Sequence, residues 1–246
     1  MSKIKLQSIS ASERWLQCTK SLEYNQTFTS NRNATYGKMV HEAVSLRLKE
    51  IFGKEDNKER IKQIKTEDYV DENDATIIVN WDKHAEKIYT EYIDYVLMLV
   101  NKYKPKQVFL EQKVDVVWYG YSKYGFIDLI MFHEKGVFIC DLKTGWTKVD
   151  VKDNSQMLIY LLGVIQTYPK LANKDSEFTI SICQPVIGNI NSQDLDLDYL
   201  VGFYNSKNDK MNEIITGNLQ YDPSSKACKY CDYKEFCNER ISKGVF

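Results

Sequence analysis

The chain has no apolar run long enough to cross a bilayer: its most apolar stretch, Met157 to Ile165, falls well short of the ~20 residues that a membrane helix requires. Its opening residues, Met-Ser-Lys-Ile-Lys-Leu-Gln-Ser, lack the apolar centre of a secretory signal. These two absences predict an intracellular, cytoplasmic protein with no membrane partner. Internal repeats and low-complexity tracts are also missing, which excludes a solenoid or a tethering linker. Nor is there an excess of positive charge. Thirty-three Lys and Arg face 34 Asp and Glu, for a formal net charge of −1, which argues against a protein that coats nucleic acid by bulk electrostatics. An enzyme with a groove lined by a few lysines is not excluded. Lys143, Lys148 and Lys152 qualify, although the last two read better as solvated surface. With 246 residues, 43% of them hydrophobic and 27% charged, the sequence fits one elaborated globular domain, 1–246, better than two independent ones.

The most informative stretch runs from Gly125 to Tyr160. Gly125 to Phe132 and Gly136 to Asp141 are short runs rich in Ile, Val and Phe on either side of His133-Glu134-Lys135-Gly136, which is a hairpin signal. A turn centred between Glu134 and Lys135 places Asp128 directly opposite Asp141. Two carboxylates facing each other in apolar strands repel unless a cation neutralises them. Alternation along the strand puts Asp141 and Lys143 on one face and sends Leu142 to the core. Two carboxylates and an ammonium at one spot suit Mg²⁺ or Mn²⁺ with a water nucleophile or a phosphate, and hence phosphodiester hydrolysis. A D-x-K triplet taken alone is common by chance. The opposed Asp128 is what gives it weight.

Elsewhere the pattern is mostly architectural. Ser10 to Cys18 reads as a short capped helix. Tyr36 to Ile51 is helical, with Val40, Val44, Leu48 and Ile51 in register, and carries His41, which on this pattern alone is a structural histidine. Residues 53–75 are dense in both charge signs and read as a solvated connection or exposed helix. Trp81 to Lys102 is an amphipathic helix with an aromatic stripe suited to the core. Gln107 to Tyr119 is a strand, and its Glu111 either approaches the metal or pairs with a lysine such as Lys113. About Asn154 to Gln166 is a helix, apolar nearly all round, in which Gln156 and Tyr160 share a face. Those two need polar partners, supplied by DNA or by hydrogen bonds within the core. Glu177 to Gln184 is a strand and Asp194 to Ile215 a helix.

Cys228, Cys231 and Cys237 form a C-x-x-C-x₅-C cluster. In an intracellular protein this points to metal rather than disulfides. A tetrahedral site needs a fourth thiolate, and Cys18 is the candidate; taken alone it is a small buried hydrophobe. Cys140 and Cys183, both in strands, read as ordinary buried thiols. Four thiolates suit zinc and an iron-sulfur centre alike.

Taken together, Gly125-Phe126-Ile127-Asp128, Asp141-Leu142-Lys143 and Gln156-x-x-x-Tyr160 resemble the RecB-like branch of the PD-(D/E)xK nuclease superfamily. Gly37-Lys38-Met39-Val40-His41 is similar to the G-x-x-x-H signature of that branch. The cysteine pattern resembles the iron-sulfur staple of CRISPR-adaptation RecB-like exonucleases and AddB-type helicase-nucleases. Trp15-Leu16-x-Cys18 looks like the opening of phage-borne relatives. The resemblance implies an α/β fold, a restriction-endonuclease-like mixed β-sheet core flanked by helices, with the two ends of the chain (1–30 and 220–246) joined by a [4Fe-4S] cluster on Cys18, Cys228, Cys231 and Cys237. It implies metal-dependent DNA hydrolysis, exonucleolytic in mode, with Mg²⁺ or Mn²⁺ on His41, Asp128, Asp141 and the Leu142 carbonyl. Lys143 would position the attacking water, and Gln156 and Tyr160 would contact DNA or support the site. DNA and proteins of recombination, replication or CRISPR adaptation are the implied partners, and a phage gene expressed in a bacterial host is the implied source. Two other readings stand beside it: a DNA-end or partner-binding protein with a vestigial site, and a zinc-stapled interaction protein of a phage or CRISPR assembly.

Overall fold

The structure, a computed structural model, describes residues 4–24, 31–172 and 175–245. Of the segment 1–30 expected in a cysteine staple, residues 1–3 and 25–30 lie outside the described residues, as does Phe246.

Short helices α1 (Ser12–Gln17) and α2 (Ser21–Tyr24) precede the long α3 (Arg32–Ile51). Asn31 caps α3 by accepting from the Ala34 amide, and the helix buries Thr35, Met39, Val40, Ala43, Val44 and Leu48 at helical spacing. The charged stretch after it takes up the exposed-helix alternative in part. It forms α4 (Lys58–Thr66), which buries Ile61 and Ile64 and pairs Arg60 with Glu42 and Lys65 with Glu86, and β1 (Tyr69–Val70), which pairs with β2 (Ile78–Val79). Two isoleucines on one face dock a helix whose other side is solvated. Next comes α5 (Lys83–Tyr103), capped by Asp82 and ended by Lys104 in the left-handed region (φ 46°).

Five strands make the main sheet in chain order: β3 (Gln107–Trp118), β4 (Tyr121–Phe132), β5 (Gly136–Leu142), β6 (Glu177–Gln184) and β7 (Asn189–Leu195). Neighbours are antiparallel except β5 and β6, which are parallel. That reversal needs a crossover, supplied by α6 (Ser155–Thr167). The protein is therefore mixed α/β, with its sheet flanked by helices on both faces. One core joins α3, α4 and α5 to the sheet through residues such as Leu129, Met131, Phe138 and Cys140. The other joins α6, the N-terminal segment and the later helices through Ile127, Ile130, Ile139 and Ile180.

The expected helix from Asp194 to Ile215 is corrected. Asp194 belongs to β7, where it accepts from Thr179 of β6 at 2.7 Å. The helical part is split into α7 (Leu197–Ser206), capped by Asp196, and α8 (Asn208–Thr216). The β7 sequence Asn-Ile-Asn-Ser-Gln-Asp-Leu lies on a sheet edge and alternates in exposure with few apolar residues, so it gives almost no strand signal. After α8 the chain closes with α9 (Ser225–Lys229) and α10 (Asn238–Ser242).

A hydrogen-bonded seam joins the two ends of the described chain. The Lys20 amide donates to the Gln220 carbonyl (3.0 Å), the Gln220 amide to Thr19 Oγ1 (2.9 Å), and Arg14 to the Tyr230 carbonyl (2.8 Å).

Candidate functional site

The β4–β5 hairpin has the register that its turn predicts, with Leu129 opposite Cys140 and Phe132 opposite Val137. The pairing stops there: Asp128 and Asp141 are next in line but are not ladder partners. The reason lies on the other side of β4. Leu110 pairs with Leu129 and Gln112 with Ile127, leaving Glu111 and Asp128 unpaired between them. Glu111 has φ 48°, a conformation that costs a non-glycine residue about 1–2 kcal/mol. Alternation reverses at this point. Leu110 and Leu129 belong to the α3/α5 core, whereas Val114 and Ile127 belong to the α6 core. A paired distortion of this kind re-aims side chains, and here it turns Glu111 and Asp128 toward α3.

There they meet His41. His41 Nδ1 lies 3.3 Å from Asp128 Oδ1 and 3.9 Å from a Glu111 carboxylate oxygen. One ligand atom from each residue falls within 4.8 Å of the others, the spacing of a group that could hold a metal ion. Gly37, one turn before His41, lets helix α3 run close to the loop after β5; a Cβ there would sit 3.2 Å from Thr144 Oγ1, a tight approach. Burial acts to depress the His41 pKa, but Asp128 and Glu111 outweigh it and hold the imidazole well above its usual value. Burial raises Asp128 to about 6, the His41 charge opposing and the Asp141 carboxylate adding to the rise. The metal-free site thus holds protons that a cation would displace.

Asp141 is outside this tight group and has its own partners. Its Oδ1 accepts from Gln156 Nε2 at 2.7 Å, and its buried Oδ2 lies 2.9 Å from Lys143 Nζ. Lys143 also donates to Gln156 Oε1 (2.9 Å). Burial works against the Lys143 charge, but Asp141 more than compensates, so the ammonium is held charged. The Gln156 amide therefore bridges acid and base within the chain. Tyr160, one turn further along α6, packs its ring on β4 at Gly125, where a Cβ would come within 2.5 Å of Tyr160 Cε1. Leu142 enters through its amide, which donates to Asp128 Oδ2 at 2.6 Å. This bond ties the two halves of the site together. His41, Asp128, Asp141, Leu142, Lys143 and Gln156 are thus linked by direct contacts. Glu111, which the sequence leaves between approaching the metal and pairing with a lysine, joins His41 and Asp128; its left-handed backbone has no sequence signature.

The six cysteines do not form one cluster. Cys140 and Cys183 are buried in β5 and β6. Cys18, Cys228, Cys231 and Cys237 line a small cavity of about 20 Å³ together with Tyr24 and Tyr233. Among the described residues no three cysteine sulfurs lie within 4.8 Å of one another. The donor set suits a thiolate-bound metal, but the spacing is looser than tetrahedral zinc requires, and the cavity is about the size of one water. Either centre would require the side chains to shift. Cys18 Sγ accepts from the Asp222 amide at 3.4 Å, and burial raises the pKa of Cys228 and of Cys231.

No curated protein matches this sequence. Among solved structures, the chain is similar to SSO0001 (14% identity, TM-score 0.36, covering 92% of this chain and 96% of that one). It is similar also to a protein of Eubacterium rectale named "Putative exonuclease" (15%, TM-score 0.49, 92% and 85%), and to protein VC1899 of Vibrio cholerae (9%, TM-score 0.29, 87% and 56%). No helix of the described residues is long and apolar enough to cross a membrane. Over residues 5–245 the sequence matches the model of one family, and the chain accordingly belongs to the family described as protein of unknown function DUF2800.

Proposed function

We propose that this protein is a divalent-metal-dependent deoxyribonuclease of the RecB-like PD-(D/E)xK type, acting as an exonuclease in the cytoplasm of a bacterial host. The observation that carries the reading is the contact chain from the His41–Glu111–Asp128 group, through the Leu142 amide, to the Lys143 ammonium clamped by Asp141 and Gln156. His41, Glu111 and Asp128, with Asp141 alongside, would hold Mg²⁺ or Mn²⁺. Such an ion supplies Lewis-acid polarisation of a phosphate oxygen and acidifies a bound water. Lys143, charged and fixed at Nζ, orients the water and offsets charge on the scissile phosphate. Gln156, bonded to both, fixes the ammonium against Asp141, and Tyr160 backs β4 at Gly125. An imidazole in the set favours Mn²⁺ over Mg²⁺.

In this reading the whole chain is one nuclease domain, and Cys18, Cys228, Cys231 and Cys237 carry a [4Fe-4S] cluster. The cluster reinforces the seam between the chain ends and takes no part in hydrolysis. The protein works alongside recombination, replication or CRISPR-adaptation partners, as a phage-encoded product would. The test is incubation of end-labelled linear and circular DNA with Mg²⁺ or Mn²⁺, comparing the native protein with Asp141→Ala and Lys143→Ala. Cleavage of linear DNA that both substitutions abolish is expected. Equal cleavage by Asp141→Ala protein, freed of contaminating nuclease, would end the proposal.

A further inference from the structure

Beyond the metal group the β3–β4 ribbon runs on with one face bare. From Glu111 and Asp128 outward, Lys113, Asp115 and Val117 on β3, and Ser122, Tyr124 and Phe126 on β4, are all exposed, while the intervening Val114, Val116 and Ile127 are buried. Lys113 is paired with Phe126 and Asp115 with Tyr124, so the six side chains form facing rows. Two large aromatic rings stand in the open here: Tyr124 is 53% exposed and Phe126 51%. They meet edge to face, with centroids 6.0 Å apart. Lys113 Nζ lies 4.6 Å from the Tyr124 ring centre, and its ammonium is 3.8 Å from Asp115.

These rings are continuous with the candidate active site. Tyr124 and Phe126 are alternate residues of one strand on the side opposite buried Ile127, stepping about 6.7 Å, and Asp128 follows them where the distortion turns it toward α3. That step is close to the phosphate spacing of an extended single strand. An aromatic face left in water beside a cation is what unpaired bases use for stacking, and it requires no particular sequence. A duplex keeps its bases stacked on one another and offers such a face nothing.

We infer that the bare face of the β3–β4 ribbon is a stacking track for an unpaired DNA strand, with Phe126 and Tyr124 taking bases next to the scissile phosphate. The preferred substrate is therefore single-stranded DNA. The inference rests on the nuclease reading for the position of the reacting phosphate, but not for the binding itself. Lys113 would contact the backbone, at the cost of its link to Asp115.

Binding of a fluorescent oligo(dT) and of a blunt duplex is measured by anisotropy in Ca²⁺, with cleavage assayed separately in Mn²⁺. The variants are Tyr124→Leu/Phe126→Leu, which keeps apolar strand residues without rings, and Tyr124→Trp/Phe126→Trp, which restores them. The native protein should prefer the oligonucleotide. The leucine pair should weaken single-strand binding about tenfold or more, leaving duplex binding and the Mn²⁺-induced melting shift unaltered, and the tryptophan pair should recover it. Native cleavage with unchanged oligonucleotide binding in the leucine pair overturns the track and leaves the nuclease reading intact. Loss of binding without native cleavage in Mn²⁺ supports the track and removes the nuclease. Dissociation of a native dimer by the leucine pair, with no change in DNA binding, overturns the track by assigning the face to a second copy of the chain.

Discussion

At Asp128 one residue carries two opposed demands, an apolar strand environment and a carboxylate that meets both His41 and the Leu142 amide. Its pKa is raised to about 6, so the folded state binds its proton more tightly than the unfolded chain does. The sign follows: the stabilisation is complete below the ordinary carboxylate value near 4 and is lost as pH rises through about 6. Metal-free protein should therefore become less stable between pH 4 and 6 on this account. Asp128→Asn, which keeps an acceptor for Leu142, should flatten that pH dependence without metal and should show no melting shift on addition of Mn²⁺. Denaturant titrations across that pH range check both. Glu111 separates strain from ligation in the same way. Glu111→Gly removes the penalty of φ 48° and should raise metal-free stability by up to about 1 kcal/mol, while weakening Mn²⁺ binding measured by calorimetry. His41→Ala should weaken metal binding and activity more than stability, with activity partly restored at high Mn²⁺.

Among the elements, α6 is the one that seats the site, because it both crosses between β5 and β6 and presents Gln156 to Asp141 and Lys143. Its approach to β3 depends on Gly163, where a Cβ would lie 2.8 Å from Val116 Cγ2 and 3.0 Å from Val114 Cγ2. Branched side chains pinned in a strand have little room to yield. Gly163→Ala should cost about 1–3 kcal/mol, read as a lower melting temperature. Because Gln156 sits two turns away on the same helix, cleavage per folded molecule should fall as well. The β4–β5 hairpin was legible because a four-residue turn between apolar runs fixes register by arithmetic. The same arithmetic fails at Asp128, because the distortion arises from Glu111 on a different strand. Helices α3, α5 and α6 were legible from their apolar spacing. Strand β7 was not, since an edge strand with one half-covered face needs few apolar residues, and α4 was legible only as an alternative to a solvated connection, since two isoleucines are too few to set a period.

For the molecule as a whole, the ends are joined by the seam between residues 14–20 and 220–230 with the four cysteines beside it. If these cysteines carry an iron-sulfur centre, anaerobically purified protein should be brown. Serine at Cys18, Cys228, Cys231 or Cys237 should bleach it and lower soluble yield, while Cys140→Ser and Cys183→Ser should keep the colour. Colourless protein with one zinc per chain would replace the iron and keep the staple. With or without metal, the seam also sets a timetable. Trp15 and Leu16 are buried, and α1 packs against α6 as well as against the later α8 and α9. During synthesis α1 is therefore covered in part once α6 has emerged and fully only when α8 and α9 follow. A chaperone that shields α1 over that interval should raise the yield of native protein more than one that acts after release.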